Sequence, residues 1–256
     1  MKLGLCLSGG GARGIAHIGV LKAFEEYNIF PQYTSGTSAG SIVGALYAAG
    51  IPTSKMIDLV KNANLFKIFR MGSFSGGFVK LSYLQDILRA ELPATEFKDL
   101  PSDFFVCVSN INKGKWTILK DGNIAEAVVA SCSIPLVFEP VKINGELYVD
   151  GGLLNNFPVE PLVVECEMII GVNVMPNSIK RDISGLRSVA ERCFDLVVWN
   201  NSETRISQCD VLIEIEGVDD YGIFDFLKAD EIIELGYQEA VKMMPEIIER
   251  IQELKI

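Results

Sequence analysis

Two glycine-rich turns near the N-terminus carry the residues best suited to chemistry. Gly9-Gly10-Gly11-Ala12-Arg13-Gly14 follows the apolar run Lys2–Ser8 and precedes Ile15, Ile18, Val20, Leu21 and Phe24 at helical spacing. Glycines leave backbone N–H groups accessible and a helix N-terminus adds positive potential, so this loop suits a negative group. A dinucleotide would also need an acid about 20 residues further on to hold a ribose. Positions 32–36 read Gln-Tyr-Thr-Ser-Gly, with no acid.

What stands there is Gly36-Thr37-Ser38-Ala39-Gly40, a GxSxG pattern at an expected strand-to-helix turn. Such an elbow strains the middle residue and projects its side chain, which makes Ser38 a candidate nucleophile. A serine hydroxyl needs a base. The one histidine, His17, precedes the serine, which excludes the Ser-Asp-His order of α/β-hydrolases, and no SxxK pair occurs. His17 on a packed first helix reads better as structural, though as a base it stays open on sequence alone. Two Asp-Gly pairs follow apolar runs: Asp121-Gly122, succeeded by Asn123 and a helical pattern that suits a turn and cap, and Asp150-Gly151-Gly152, which closes Glu146–Val149. Residue context favours Asp150, with Asp121 as the other candidate.

The elements that must hold these residues alternate. Strand, glycine loop and helix are followed by a strand near 32–35 and a helix through Ala49, a βαβα unit. Residues 53–62 and 81–91 read as helices. Asn112-Lys113-Gly114 and Asn144-Gly145 mark two hairpins decorating a parallel sheet. Met168–Val174 is a run suited to a strand buried on both faces, 210–216 an edge strand, 186–207 a long helix, and 229–254 a helical stretch expected to break at Pro245. These patterns predict an α/β fold with helices on both faces of a mainly parallel sheet, in one domain over residues 1–256.

Composition narrows the function. With 49% apolar and 22% charged residues the chain has ample material for a core, and its longest uncharged runs fall short of the roughly 20 residues that span a bilayer. Six scattered cysteines without CxxC spacing predict buried free thiols and a cytoplasmic location. Net charge is −10, of which residues 210–256 supply −9, so nucleic acid is not an expected partner. No metal or cofactor is expected.

Taken in order, Gly9–Gly14, Gly36–Gly40 and Asp150-Gly151-Gly152 resemble the patatin-like phospholipases, lipid acyl hydrolases with a serine-aspartate dyad. Ala130-Ser131-Cys132-Ser133-Ile134-Pro135, Phe138-Glu139-Pro140 and Asn156-Phe157-Pro158 reinforce the likeness, which spans residues 3 to about 175 and is closest to compact bacterial members. The resemblance implies a three-layer α/β/α sandwich, Ser38 as nucleophile, Asp150 as general base, and an oxyanion hole from N–H groups around Gly10, Gly11 and Ala12. Arg13 would support that loop or the acyl oxygen. Gly152 stands where many relatives have alanine.

The implied substrate is a lipid or acyl ester, with phospholipase, lysophospholipase, lipase, thioesterase and acyl-transfer reactions sharing the same parts, and a regulatory adaptor as the non-enzymatic alternative. Between Asp58 and Asp86 there is no acid. Lys67 and Arg70 lie there among aromatic residues including Phe74 and Phe78, with glycine hinges, so residues 63–80 are expected to form a lid in transient contact with a membrane surface.

Overall fold

The opening apolar run forms β1 (Leu3–Leu7), buried at all five positions in the middle of an eight-stranded sheet. The structure is a computed structural model and describes residues 1–62, 81–177 and 183–254. On one side β1 pairs in parallel with β2 (Tyr33–Thr37), which pairs in parallel with β3 (Asp103–Asn110). On the other side it pairs with β7 (Met168–Asn173), and β7 with β8 (Val211–Glu214), again in parallel. Every residue of β7 is buried, as a strand covered on both faces requires.

Both hairpins attach to β3. The strand β4 (Lys115–Leu119) lies antiparallel along it, and β6 (Glu146–Asp150), hairpin partner of β5 (Val141–Ile143), pairs antiparallel with its last three residues. The register has a consequence for chemistry. A strand has two edges, and Cys107 pairs with Thr37 and Ile118 while Val108 pairs with Asp150 and Thr117. With β4 on one edge throughout, β2 and β6 share the other and meet end to end between Cys107 and Val108.

Helices cover both faces. The larger core packs α1 (Ala16–Glu26), α2 (Ala39–Ala48), α3 (Thr53–Asn62), α4 (Ser82–Glu91), α5 (Ile124–Ser131) and α8 (Ala229–Glu253) around residues such as Leu5, Leu7, Val106 and Ile170. The opposite face, with Cys6, Phe105 and Ile169, is covered by Phe157, by Leu162 of α6 (Glu160–Glu165) and by Ile206 of α7 (Gly185–Ile206). This is the expected three-layer arrangement.

Two expectations need correction. The last helix does not break at Pro245 but runs through it, with the proline ring on the exposed side. Cys6, Cys107 and Cys132 are buried free thiols, but Cys166 and Cys209 are half-buried and Cys193 is exposed on α7. Among the described residues, no helix is long and apolar enough to cross a membrane.

Candidate active site

Ser38 occupies the turn between β2 and α2 with φ 50° and ψ −122°, a backbone conformation that costs a non-glycine residue about 1–3 kcal/mol. The surroundings hold it there. Its N–H donates to Ser131 Oγ at 2.8 Å, and its carbonyl accepts from the Ser41 N–H at 2.8 Å and from Ser41 Oγ at 2.6 Å. Ser131 Oγ donates in turn to the Cys107 carbonyl at 2.7 Å, tying the elbow to β3. Ser131 had no role assignable from sequence; only the packing of α5 under the elbow reveals it.

The meeting of β2 and β6 brings Asp150 to Ser38. Asp150 is 2% exposed, and its carboxylate accepts the Gly152 N–H at 2.7 Å. Burial raises it from 3.8 to about 6, against the lowering effect of the nearby Ser38 side chain and the Gly152 N–H. Gly151 is required beside it, since a Cβ there would lie 2.4 Å from the Cys107 carbonyl oxygen. The Gly152 carbonyl accepts from Asn201 Nδ2 at 2.9 Å, and Asn201 Oδ1 accepts the Asn156 N–H at 2.8 Å, so α7 braces this turn. Asp121 and Gly122 are exposed, and Asn123 caps α5 by accepting the Glu126 N–H at 2.9 Å. The second carboxylate is therefore a turn residue, away from the serine.

The glycine loop lies against the elbow, since a Cβ on Gly9 would stand 3.1 Å from that of Ser38. Its N–H groups divide. Gly9 donates to the Asn156 carbonyl at 3.3 Å and Arg13 to the Gly10 carbonyl at 3.2 Å. The Ala12 N–H, expected among the oxyanion donors, donates instead to the Ile223 carbonyl at 2.8 Å. The N–H groups of Gly10 and Gly11 have no acceptor among the described residues. Gly11 is held at φ 58°, and its missing side chain leaves room for Ile223. Arg13 is buried. Its Nε donates to the Tyr221 carbonyl at 2.7 Å and Nη1 to Met175 Sδ at 3.2 Å, so it braces the loop. Gly14 follows in the 3-10 turn Gly11–Ile15 that leads into α1. Ile223 and Tyr221 lie in a segment with no recognisable motif, and nothing in their types announces the contact.

His17 is fully buried, with Nε2 donating to the Ser8 carbonyl at 2.9 Å. A carbonyl only accepts, so Nε2 carries the proton, and Nδ1 has no partner among the described residues. Burial pushes the ring down to about 4, so it stays neutral at physiological pH. It ties the end of β1 to α1, as the structural reading expected.

From Ser38 a cavity of about 100 Å³ runs between Ile42 and Leu46 of α2, Met56 and Leu59 of α3, and Leu84 and Leu88 of α4, with Ile134 and Phe226 also in its wall. Its lining is apolar apart from Ser38, Cys132 and Glu91. An alkyl chain fits such a space; a charged or sugar-bearing group does not. The lid candidates Lys67, Arg70, Phe74 and Phe78 lie outside the described residues.

The chain is similar to known proteins in sequence and in fold. A family model described as patatin-like phospholipase matches residues 5–163. "Lysophospholipase NTE1" of Pyricularia oryzae is 28% identical over 284 residues, covering 96% of this chain and 18% of that protein. Its namesake in Cryptococcus neoformans is 36% identical over 173 residues, 63% of this chain and 10% of the other. This chain thus spans a fifth or less of the length of these relatives. Among solved structures, VipD from Legionella pneumophila superposes with a TM-score of 0.62 at 15% identity, over 96% of this chain and 67% of the other. ExoU, in its complex with SpcU from Pseudomonas aeruginosa, gives 0.53 at 18% identity over 96% and 51%. These two likenesses are of fold.

Proposed function

The chain belongs to the patatin-like phospholipase family, and from that premise we propose that it is a serine acyl hydrolase cleaving fatty-acyl esters of lysophospholipids or phospholipids through Ser38 and Asp150. The observation that carries this reading is the placement of the buried Asp150 carboxylate, whose proton affinity burial raises, where β6 meets end to end the strand that leads into Ser38. Two relatives named as lysophospholipases, and an apolar cavity lined in part by Ser38, favour an acyl-chain substrate of the lysophospholipid kind.

Ser38 Oγ attacks the ester carbonyl carbon while its proton passes to Asp150. A carboxylate with an ordinary value near 4 would be a weak base, and burial brings this one closer to neutral pH. The carbonyl oxygen becomes an oxyanion within reach of the Gly10 and Gly11 N–H groups, with positive potential from the start of α1. Collapse of the tetrahedral species expels the lyso-headgroup alcohol, which takes the proton from Asp150. Water then attacks the acyl-serine, giving up its proton to Asp150, and the fatty acid departs as Ser38 is reprotonated. The reaction uses no metal or cofactor. The segment after β8 belongs to the same working unit as the glycine loop, because Tyr221 and Ile223 brace that loop.

Intact mass after incubation with a fluorophosphonate tests this. Wild type gains one adduct; Ser38→Ala gains none and loses hydrolysis of lysophosphatidylcholine. An adduct that persists in Ser38→Ala, or lysophospholipid turnover that survives the substitution, would overturn the assignment.

A further inference from the structure

The cavity lined by Ser38 has a direction. α2 starts at the elbow and contributes Ser38, Ile42 and Leu46 to the lining, which at about 1.5 Å per residue extends about 12 Å along the helix. The far end of α2 lies at the other edge of the sheet, where Ser102 Oγ, just before β3, donates to the Ala48 carbonyl at 3.2 Å. α3 begins at that far end and returns. Lys55 stands in its first turn, whereas Lys61 in its last turn pairs at 2.7 Å with Asp230 at the start of α8. α8 follows the Tyr221–Ile223 segment that braces the glycine loop, so its start lies on the catalytic side.

Among the described residues one charged side chain lines this space, and it stands at the far end. Glu91 closes α4, and its carboxylate meets Lys55 Nζ at 3.0 Å across the gap between α4 and α3. Past Glu91 the chain stays at that end, with Phe97 stacked on Phe104 near the start of β3. The Glu91 side chain is 27% exposed and that of Lys55 48%, so the pair sits where the cavity reaches the surface. An ion pair this exposed adds little to stability. Each charge also stands at the wrong end of its own helix, a cation in the first turn of α3 and an anion in the last turn of α4. Neither helix gains from its own charge; what the pair does is close the gap between them.

We propose that the Lys55–Glu91 pair is the floor of the acyl site and sets the preferred chain length at about ten carbons. The idea rests on the acyl-hydrolase reading for what enters the cavity. An extended alkyl chain advances about 1.25 Å per carbon, from bonds of about 1.5 Å at tetrahedral angles, so about ten carbons fill about 12 Å. Each methylene that leaves water for apolar walls adds about fourfold to binding. A carbon that reaches the pair gains nothing, because it must strip water from a carboxylate and an ammonium group. Preference therefore climbs with chain length as far as the pair and stops there.

Hydrolysis of lysophosphatidylcholines with six to fourteen acyl carbons, each below its micelle concentration, tests this on the full chain. In wild type kcat/KM rises to about ten carbons, and the twelve-carbon substrate is no better than the ten-carbon one. Glu91→Ala makes room for about two more methylenes, so the twelve-to-ten ratio of kcat/KM rises about fifteenfold. Lys55→Glu, which sets two acids against each other and drives the Glu91 side chain outward, moves the limit the same way. Lys55→Glu combined with Glu91→Lys restores the pair and returns the limit to its wild-type length. A clasp that only steadied the fold would change turnover of all lengths alike. An unmoved ratio in Glu91→Ala, a folded charge-swapped variant that keeps the longer limit, or a wild-type preference that climbs unbroken to fourteen carbons overturns the proposal. Calorimetric binding of free fatty acids to Ser38→Ala separates the two readings. A ten-carbon preference that Glu91→Ala shifts, in a protein that no fluorophosphonate labels, sustains the floor and refutes the hydrolase; ester turnover whose length profile ignores Glu91→Ala refutes the floor and leaves the hydrolase.

Discussion

Two aspartate-glycine pairs follow β-strands in this chain and end in opposite circumstances. Asp121-Gly122 follows β4, both residues exposed, and Gly122 at φ 84° has open space around it. Asp150-Gly151 follows β6, with the carboxylate buried and the glycine pressed against the Cys107 carbonyl. The dipeptide is the same and the distinction comes from register. β4 lies antiparallel along β3 on the edge away from β2, whereas β6 ends where β2 ends. Strand register thus selects which carboxylate is taken out of water and which stays in it.

The contrast can be broken most directly by activity. Asp150→Asn should cut the rate of lysophospholipid hydrolysis by about 10²–10⁴-fold, the range for a lost general base, while Asp121→Asn stays within about twofold of wild type. In wild type, kcat/KM should rise with pH through about 6 as Asp150 ionises. A profile governed instead by a group near 6.5, and abolished in a folded His17→Gln variant, would refute the dyad.

Stability sharpens the comparison next. The folded value of Asp150, about 6, lies above its unfolded value of 3.8, so the folded state holds the proton more tightly between these limits. Its contribution is fully present below pH 4 and is lost as pH rises through about 6. Asp150→Asn removes this loss and should stabilise the protein at pH 8 by roughly 3 kcal/mol, measured by urea unfolding, an inactive variant firmer than its parent. The glycines give the smallest effects. Gly151→Ala should destabilise by about 1–3 kcal/mol through its clash with Cys107, and Gly122→Ala by about 1 kcal/mol from backbone strain alone. Equal losses at the two positions would show that the Cys107 contact is relaxed in solution.

Much of this was legible in residue order. Gly9–Gly14 and Gly36–Gly40 each sit between an apolar run and a helical period, and Asn144-Gly145 announces the hairpin that ends in Asp150. These signals are local. The meeting of β2 and β6 is a property of pairing with β3, which no local period reports. The same holds for Ser131 beneath the elbow, Asn201 behind Gly152, and Ile223 at Ala12, whose partners lie 45 to 211 residues away in the chain. Pro245 was misread because a proline's local cost does not by itself end a helix whose flanking residues Met244 and Ile247 are packed into the core. Ala12 was misread because sequence shows donors but not the acceptors that occupy them.

The seam between β2 and β6 also sets the timing of biosynthesis. Ser38 leaves the ribosome early, but Asp150, its proposed base, follows on a strand that β3 must first be in place to receive. At the usual pace of synthesis, the serine waits about 10 seconds for Asp150 to be added, and no shorter nascent chain can hold an activated nucleophile. A nascent lipase that opened its chemistry sooner would meet membranes before its fold was finished; here the order of the strands delays reactivity until the sheet is nearly complete.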